Sequence, residues 1–232
     1  MNQVNTSASY EVVYSTLKKR ILHLELIPGT MMSEIEISKE FSVSRTPVRD
    51  AFKALVSEGL LEVRPHIGTF VTLIDLDKIS DLLYIREVME KAIIKDLALS
   101  FNPSQEFKLR HLLHTQQSLI ENPLLSNQEF AMEFIKCDYD FHQTLYTLAG
   151  KTSLISYFSS INSQYDRFRT FLNFENRANA DKVYHEHLSL LENIKIKNLD
   201  ELDSILTHHI YDGFNNLNTL MSEYPNYFKT LG

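Results

Sequence analysis

The chain has 232 residues, 44% of them hydrophobic, and 23 Lys/Arg against 30 Asp/Glu give a net charge of −7. That length suffices for one large or two modest domains with a proper core, while the acidic balance argues against a protein that coats nucleic acid without specificity. No apolar run approaches the roughly 18 residues that a membrane helix needs. The opening MNQVNTSASYEVV has neither the basic start nor the apolar stretch of a secretory signal. One cysteine, Cys137, excludes an intramolecular disulfide and suits a reducing cytoplasm.

Residues 10–24 (YEVVYSTLKKRILHL) place Val13, Leu17, Ile21 and Leu24 on one side of a helix, and Pro28-Gly29 ends the connection after it. Ser33 and Glu36 fit a capping box that satisfies orphan amides at the start of a short helix. A turn around Phe41-Ser42-Val43 follows. Ser44 then stands as the cap of a second helix in which Pro47 falls within the tolerated first turn. That helix carries Val48, Phe52, Leu55 and Val56 on one face and stops at Gly59. Leu61 to Val63 and Thr69 to Thr72 read as two short strands around Arg64-Pro65-His66-Ile67-Gly68. Two short helices, the second opening with Arg45 and Arg49, and a hairpin describe a winged helix-turn-helix. Such a unit lays its second helix in the major groove of DNA.

Charge is uneven along the chain. Residues 1–75 hold eight basic and nine acidic residues, giving −1, and the remainder holds 15 and 21, giving −6. Attraction to DNA must therefore come from a local patch of Arg45, Arg49, Lys53 and Arg64. One such unit binds weakly, so a homodimer that doubles the phosphate contacts is expected.

Beyond residue 75 the pattern is helical almost throughout: 76–100, 104–121, 126–149, 151–172, 179–197 and 199–222, with breaks at Asn102-Pro103, Asn122-Pro123, Gly150, 173–176 and Asn198. The expected fold is mainly α: a winged helix-turn-helix domain over 1–75, then an all-α bundle of six or more helices over 76–232.

Polar side chains on apolar helix faces are the informative exceptions in a bundle, because burying them alone is costly. Asp138 and His142, four apart, share a face with Phe134, Ile135, Phe141 and Leu145. His187 shares one with Leu190, Leu191 and Ile194, and His209 one with Leu202, Ile205 and Leu206. His185 and His208 point the other way. An inward carboxylate and three inward imidazoles from three helices suit a divalent transition metal such as Zn, Ni, Mn or Fe(II). The alternative is that each histidine is a separately satisfied core residue. Arg86 shares a face with Leu82, Leu83, Met89 and Ile93, and its guanidinium needs an anion: either a carboxylate effector or Glu90, four residues on. Arg167 and Arg169 are weaker candidates for an effector contact, each read first as solvated, and Phe168, Phe171 and Phe174 read as core or dimer packing rather than a ligand box.

The order P-G-x-x-x-S-E, V-S-R-T-P-V-R-D-A, L-x-x-E-G-L-L-E and P-x-x-G-T-F-V over residues 28–72 resembles the DNA-binding domain of the GntR superfamily of bacterial transcription regulators. The resemblance implies that Arg45 and Arg49 meet base edges or phosphates and that Gly68 approaches the DNA backbone. Ser44, Thr46, Lys53, Arg64 and His66 complete the implied DNA-facing set. Ile35 stands where some relatives carry a further DNA-contacting arginine, so that contact is not transferred.

In the helical half, D-x-x-x-H followed by Q-x-L-x-x-L-A-G, then E-H-L-x-x-L and T-H-H-I, is similar to the FCD ligand-binding domain of FadR-like GntR regulators. That likeness implies a metal on Asp138, His142, His187 and His209, with a small organic acid at its open positions. Lys151 stands where the family often has asparagine, so no effector contact is carried to it. LLYIREVMEKAI resembles the family's L-R-x-x-L-E stretch and carries Arg86 as an effector contact.

The function these features imply is a cytoplasmic, homodimeric transcription regulator, a repressor or an activator, that binds a pseudo-palindromic DNA operator under control of a small-molecule effector, in the first place a carboxylate. A metal-dependent hydrolase carrying a DNA-binding unit is the competing reading. Against it, the chain has no G-x-S-x-G, H-E-x-x-H, phosphate-loop or dinucleotide fingerprint and no obvious inward glutamate to act as general base.

Overall fold

The structure is a computed structural model that describes residues 6–159, 163–173, 177–215 and 217–229. These form eleven α-helices and one three-stranded sheet, so the protein is mainly α, with the sheet confined to the N-terminal part. The chain divides into two compact units: Met1–Lys78 with Ser160–Phe168 and Thr219–Gly232, and Ile79–Ser159 with Arg169–Asn218.

The first unit holds α1 (Thr6–Leu22), β1 (Met31–Met32), α2 (Glu34–Glu40), α3 (Arg45–Ser57), β2 (Leu61–Arg64) and β3 (Gly68–Val71). Val13, Leu17 and Ile21 on α1 are fully buried against Val48, Phe52 and Leu55 of α3. Leu24, expected on the same stripe, lies past the helix end with φ 59° and is only half-buried. The Ser33 hydroxyl accepts the Glu36 N–H at 3.4 Å, the forward half of the expected capping box. Ser44 occupies the cap position of α3 with extended backbone, yet its hydroxyl makes no capping bond. On α3 the buried residues are Pro47, Val48, Ala51, Phe52 and Leu55, whereas Val56 is 36% exposed. At about 100° per residue Val56 sits some 80° round from Val48, at the edge of the stripe.

Gly59, with φ 69°, ends α3: its N–H reaches Val56 O at 3.0 Å and the Leu60 N–H reaches Leu55 O at 2.9 Å. Those two bonds are the double closure that a left-handed residue just past a helix permits. The sheet has order β1-β3-β2 and is antiparallel, pairing Leu61 with Val71, Arg64 with Gly68 and Met31 with Phe70. β1 went unread because two residues carry no alternation. Later segments complete the unit. Arg167, fully buried, donates to Thr72 O at 2.7 Å, Thr72 Oγ1 at 2.9 Å and Gln164 Oε1 at 2.6 Å, while the Gln164 amide donates to Gly59 O at 3.0 Å. The backbone of Ile74 pairs with Tyr227 and Lys229.

The second unit is built from α4 (Leu76–Leu99), from Ile79 onward, with α5 (Pro103–Ile120), α6 (Asn127–Leu148), α7 (Ile155–Ser159), α8 (Ser163–Asn173), from Arg169 onward, α9 (Arg177–Ile196) and α10 (Leu199–Asn215). The short α11 (Leu217–Glu223) begins at its end. Full capping boxes open α5 (Asn102 with Gln105) and α6 (Ser126 with Glu129). Of the single helix expected over 151–172, Thr152–Leu154 form a 3-10 turn, 155–159 and 163–172 are helical as α7 and α8, and 160–162 lie outside the described residues. Gly150 at φ 72° and the hydroxyl-bearing pair Thr152-Ser153, which offer the backbone alternative partners, account for the interrupted start. Leu109 and Leu113, Phe134 and Phe141, Leu190 and Leu191, and Leu202 and Leu206 line the core, each at most 4% exposed. Phe168 is buried and Phe171 half-buried, while Phe174 lies outside the described residues.

Candidate metal centre and nucleic-acid interface

At the start of α3, Arg45 and Arg49 project with 56% and 54% of their side chains exposed. Glu34, at the start of α2, braces both: Arg45 donates to it at 3.1 Å and Arg49 through two nitrogens at 3.4 and 3.2 Å. The Arg49 bond, followed by that of Arg45, draws the Glu34 carboxyl below its ordinary range against the opposing effect of burial. Ser44, Thr46 and Lys53 are exposed along the same helix. In the hairpin, Arg64 lies 4.4 Å over the Phe70 ring and donates to Glu62 at 2.7 Å, and His66 stands exposed at φ 63°. Gly68 has φ 151°, and a Cβ there would come 2.9 Å from Met31 Cε. All eight expected DNA-facing residues therefore lie on α3 or the hairpin, none sealed in the core. Glu34 was not foreseen. A phosphate would meet guanidiniums already held in place by a carboxylate it can displace.

In the second unit α6 brings Asp138 and His142 inward, α9 brings His187, and α10 brings His209. Their donor atoms all lie within 4.8 Å of one another. His142 Nε2 is 3.0 Å from His209 Nε2, and His187 Nε2 is 3.3 Å from it. Asp138 Oδ1 is 3.5 Å from His187 Nε2 and 3.9 Å from His142 Nε2.

The opposite edge of every ring is engaged. His142 Nδ1 lies 2.8 Å from Glu90 Oε2, His187 Nδ1 3.0 Å from Gln116 Oε1, and His209 Nδ1 2.8 Å from Glu186 Oε2. With an acceptor at each Nδ1, the proton of the neutral imidazole belongs there and the Nε2 lone pair faces the centre. Three inward lone pairs cannot bond one another; a cation among them removes the repulsion. Ligand nitrogens about 2.0–2.1 Å from a metal ion are about 2.9–3.4 Å apart when adjacent ligands subtend about 90–109°, close to the separations seen here, so an ion with more than four coordination positions fits as well as a tetrahedral one. The residues fit a divalent metal.

Outer contacts complete the design. Arg169 donates to Asp138 Oδ2 at 2.6 Å, turning Oδ1 to the centre, and Arg86 Nε donates to Glu90 at 2.9 Å. Burial opposes ionisation of both acids, but the Arg169 guanidinium holds the Asp138 carboxyl well below its ordinary range. Arg86 and His142 likewise hold Glu90 at about 2. Burial drives His142 down, with the Glu90 charge opposing it, and drives His187 far down, assisted by His209. Both rings are thus kept in the neutral form that coordinates metal. The Phe141 ring stacks on His187 at 4.1 Å.

Two models of known families match this chain. The model described as bacterial regulatory proteins, gntR family, covers residues 9–71, and that of the FCD domain covers residues 81–212. The chain belongs to the GntR family and carries an FCD domain. It is 28% identical over 217 residues to the HTH-type transcriptional repressor RspR of Escherichia coli, spanning 94% of this chain and 92% of that one. It is also 28% identical over 192 residues to the Nta operon transcriptional regulator of Aminobacter aminovorans, spanning 82% and 85%. Among solved structures, E. coli McbR/YncC superposes with TM-score 0.66 at 20% identity over 93% of this chain and 98% of that one. A putative GntR regulator from Rhodococcus gives 0.67 at 19% identity over 91% and 99%, a likeness of fold. This GntR-family protein is a DNA-binding transcription regulator and not an enzyme. No helix among the described residues is long and apolar enough to cross a membrane.

Two expectations are corrected. Arg167 and Arg169, read as solvated, are 0% and 9% exposed, because each guanidinium finds buried acceptors: Thr72 and Gln164 for the one, Asp138 for the other. Glu90, Gln116 and Glu186 were not recognised as partners of the histidines. His185 and His208 are exposed, as expected, and pair with Asp181 and with Glu186 and Asp212.

Proposed function

We propose that this GntR-family regulator is a cytoplasmic homodimeric repressor that holds a divalent metal at Asp138, His142, His187 and His209 and binds a small organic acid there. RspR is named a repressor, which supports repression here. The observation that carries the reading is the three Nε2 atoms converging with Asp138 while each Nδ1 is anchored from behind. Outside that shell stand the carboxylates of Glu90 and Glu186 and the guanidiniums of Arg86 and Arg169. With Asp138 the set sums to −1, so a divalent ion brings it to +1 and favours an anionic ligand.

When bound, the metal supplies a Lewis-acidic centre whose open positions accept a carboxylate oxygen. The chain's own residues orient and insulate it. Glu90, Gln116 and Glu186 fix the rings, Arg169 fixes Asp138, and Phe141 covers one face of His187. Arg86 is held by Glu90, so an effector carboxylate reaches that guanidinium in competition with the glutamate.

For DNA, α3 enters the major groove of each half of a pseudo-palindromic operator with Arg45 and Arg49 foremost. Ser44, Thr46 and Lys53 lie alongside, and the hairpin with Arg64, His66 and Gly68 meets the backbone. We take residues 1–75 as the DNA-binding domain and 76–232 as the effector and dimerisation domain. Effector alters operator affinity only by binding one arrangement of the protein better than the other. The test is fluorescence-anisotropy titration of a duplex selected by this protein from a random library, with zinc or nickel present and a panel of small organic acids. At least one acid should change operator affinity five-fold or more in the metal-loaded protein and leave the chelated protein unmoved. Equal responses with and without metal would refute the effector reading.

A further inference from the structure

The first unit carries an exposed apolar side chain beside the arginines of α3. Glu34 opens α2 and bonds Arg45 at 3.1 Å and Arg49 at 3.2 and 3.4 Å, so the starts of α2 and α3 share one surface. Ile35 is the next residue, its Cα about 3.8 Å from that of Glu34. It is 50% exposed, whereas Ile37 lies in the core at 6%. At about 100° per residue these two side chains point nearly opposite ways, so Ile35 projects outward from α2. The Ser33 hydroxyl, accepting the Glu36 N–H, fixes that first turn. Met31, Val63 and Ile67 are also exposed, but they belong to the strands and the hairpin.

What Ile35 can touch follows from its chemistry. Its side chain neither donates nor accepts a hydrogen bond, and its sequence neighbours Glu34 and Glu36 are acids that disfavour a phosphate at that point. On the base-pair edges of the major groove the apolar group is the C5-methyl of thymine. A branched aliphatic side chain and a methyl group both gain by leaving water together. Lys39, exposed one turn along on the same face of α2, is placed to meet a flanking phosphate.

We propose that Ile35 is a specificity-determining residue of the operator complex, packing on the methyl group of one thymine beside each bound α3. The proposal rests on the reading that α3 enters the major groove, and adds what the start of α2 reads there. Arg45 and Arg49 can select guanine through its O6 and N7 acceptors. Ile35 selects thymine through a group that no hydrogen bond reaches.

The test uses the full chain and a duplex that it selects from a random library, with each thymine replaced in turn by deoxyuridine. That exchange deletes the methyl group and keeps every hydrogen-bonding group of the base. In fluorescence-anisotropy titrations one such replacement should weaken wild-type binding about four-fold, the effect of withdrawing one methyl group from a buried contact. Ile35→Ala, a change at an exposed position to a strong helix former, should bind the thymine and deoxyuridine duplexes equally at that position. If no replacement weakens the wild type, or if Ile35→Ala loses as much affinity as the wild type on the same replacement, the Ile35 contact is overturned. Arg49→Ala separates that failure from failure of the α3 reading. A variant that binds the selected duplex as tightly as the wild type overturns both, whereas weak binding by Arg49→Ala without a thymine effect overturns Ile35 and spares α3.

Discussion

Arg169 is the residue on which the geometry of Asp138 turns. Its guanidinium takes Oδ2 at 2.6 Å and leaves Oδ1 for the centre. Replacement by Met leaves a buried carboxylate without that partner, a change that costs about 3 kcal/mol. Loss of such an outer contact to a ligand lowers metal affinity about 10- to 100-fold. Arg169→Met should therefore show both effects in thermal unfolding and in competition with a chromogenic chelator, with Arg169→Lys recovering part of the affinity. Wild-type affinity in the Met variant would contradict the positioning role. The four residues of the cluster were legible: Asp138 and His142 by their spacing of four, His187 and His209 by their apolar neighbours. Gln116 was equally readable, since it shares a face with Leu109 and Leu113 and is fully buried. Arg169 was not, because its acceptor lies 31 residues away in sequence on another helix. Glu186 stood off the apolar face of α9 and gave no signal.

At the scale of elements, α3 was readable almost to the residue because the Pro47 position, most of the apolar stripe and the Gly59 stop agree, although the Ser44 hydroxyl makes no capping bond. Local rules that agree leave little for tertiary context to override. The brace at Glu34 was invisible, since it joins the starts of two helices across a turn. It gives Arg49 a fixed, exposed posture, and a well-placed guanidinium on a base edge or phosphate contributes about 1–3 kcal/mol. Arg49→Ala should reduce operator affinity at least ten-fold while the melting temperature stays near that of the wild type, because the removed side chain is solvent-facing. Unchanged binding in a gel-shift titration would contradict the assignment of α3. The start of the next helix was less readable: continuous apolar spacing suggested one helix from 151, and hydroxyl-bearing residues turn its first residues into a 3-10 turn at Thr152–Leu154.

At the scale of the whole molecule, a winged helix-turn-helix and a helical bundle were recognisable from pattern alone, whereas the placing of residues 163–168 and 219–229 in the first unit was not. What joined residues into a site was the convergence of α6, α9 and α10, which no local pattern encodes. That convergence sets three imidazoles and a carboxylate within 4.8 Å, each held from behind. A metal that binds there and not to the unfolded chain stabilises the protein by about 2.7 kcal/mol when free metal is a hundred times its dissociation constant. The decisive measurement is elemental analysis of protein purified without chelator, paired with thermal unfolding before and after chelation. One divalent transition metal per chain, a lower melting temperature after its removal, and loss of both in His187→Ala are the expected results. Wild-type protein that carries no metal, and whose melting temperature ignores added zinc and nickel, would contradict the account.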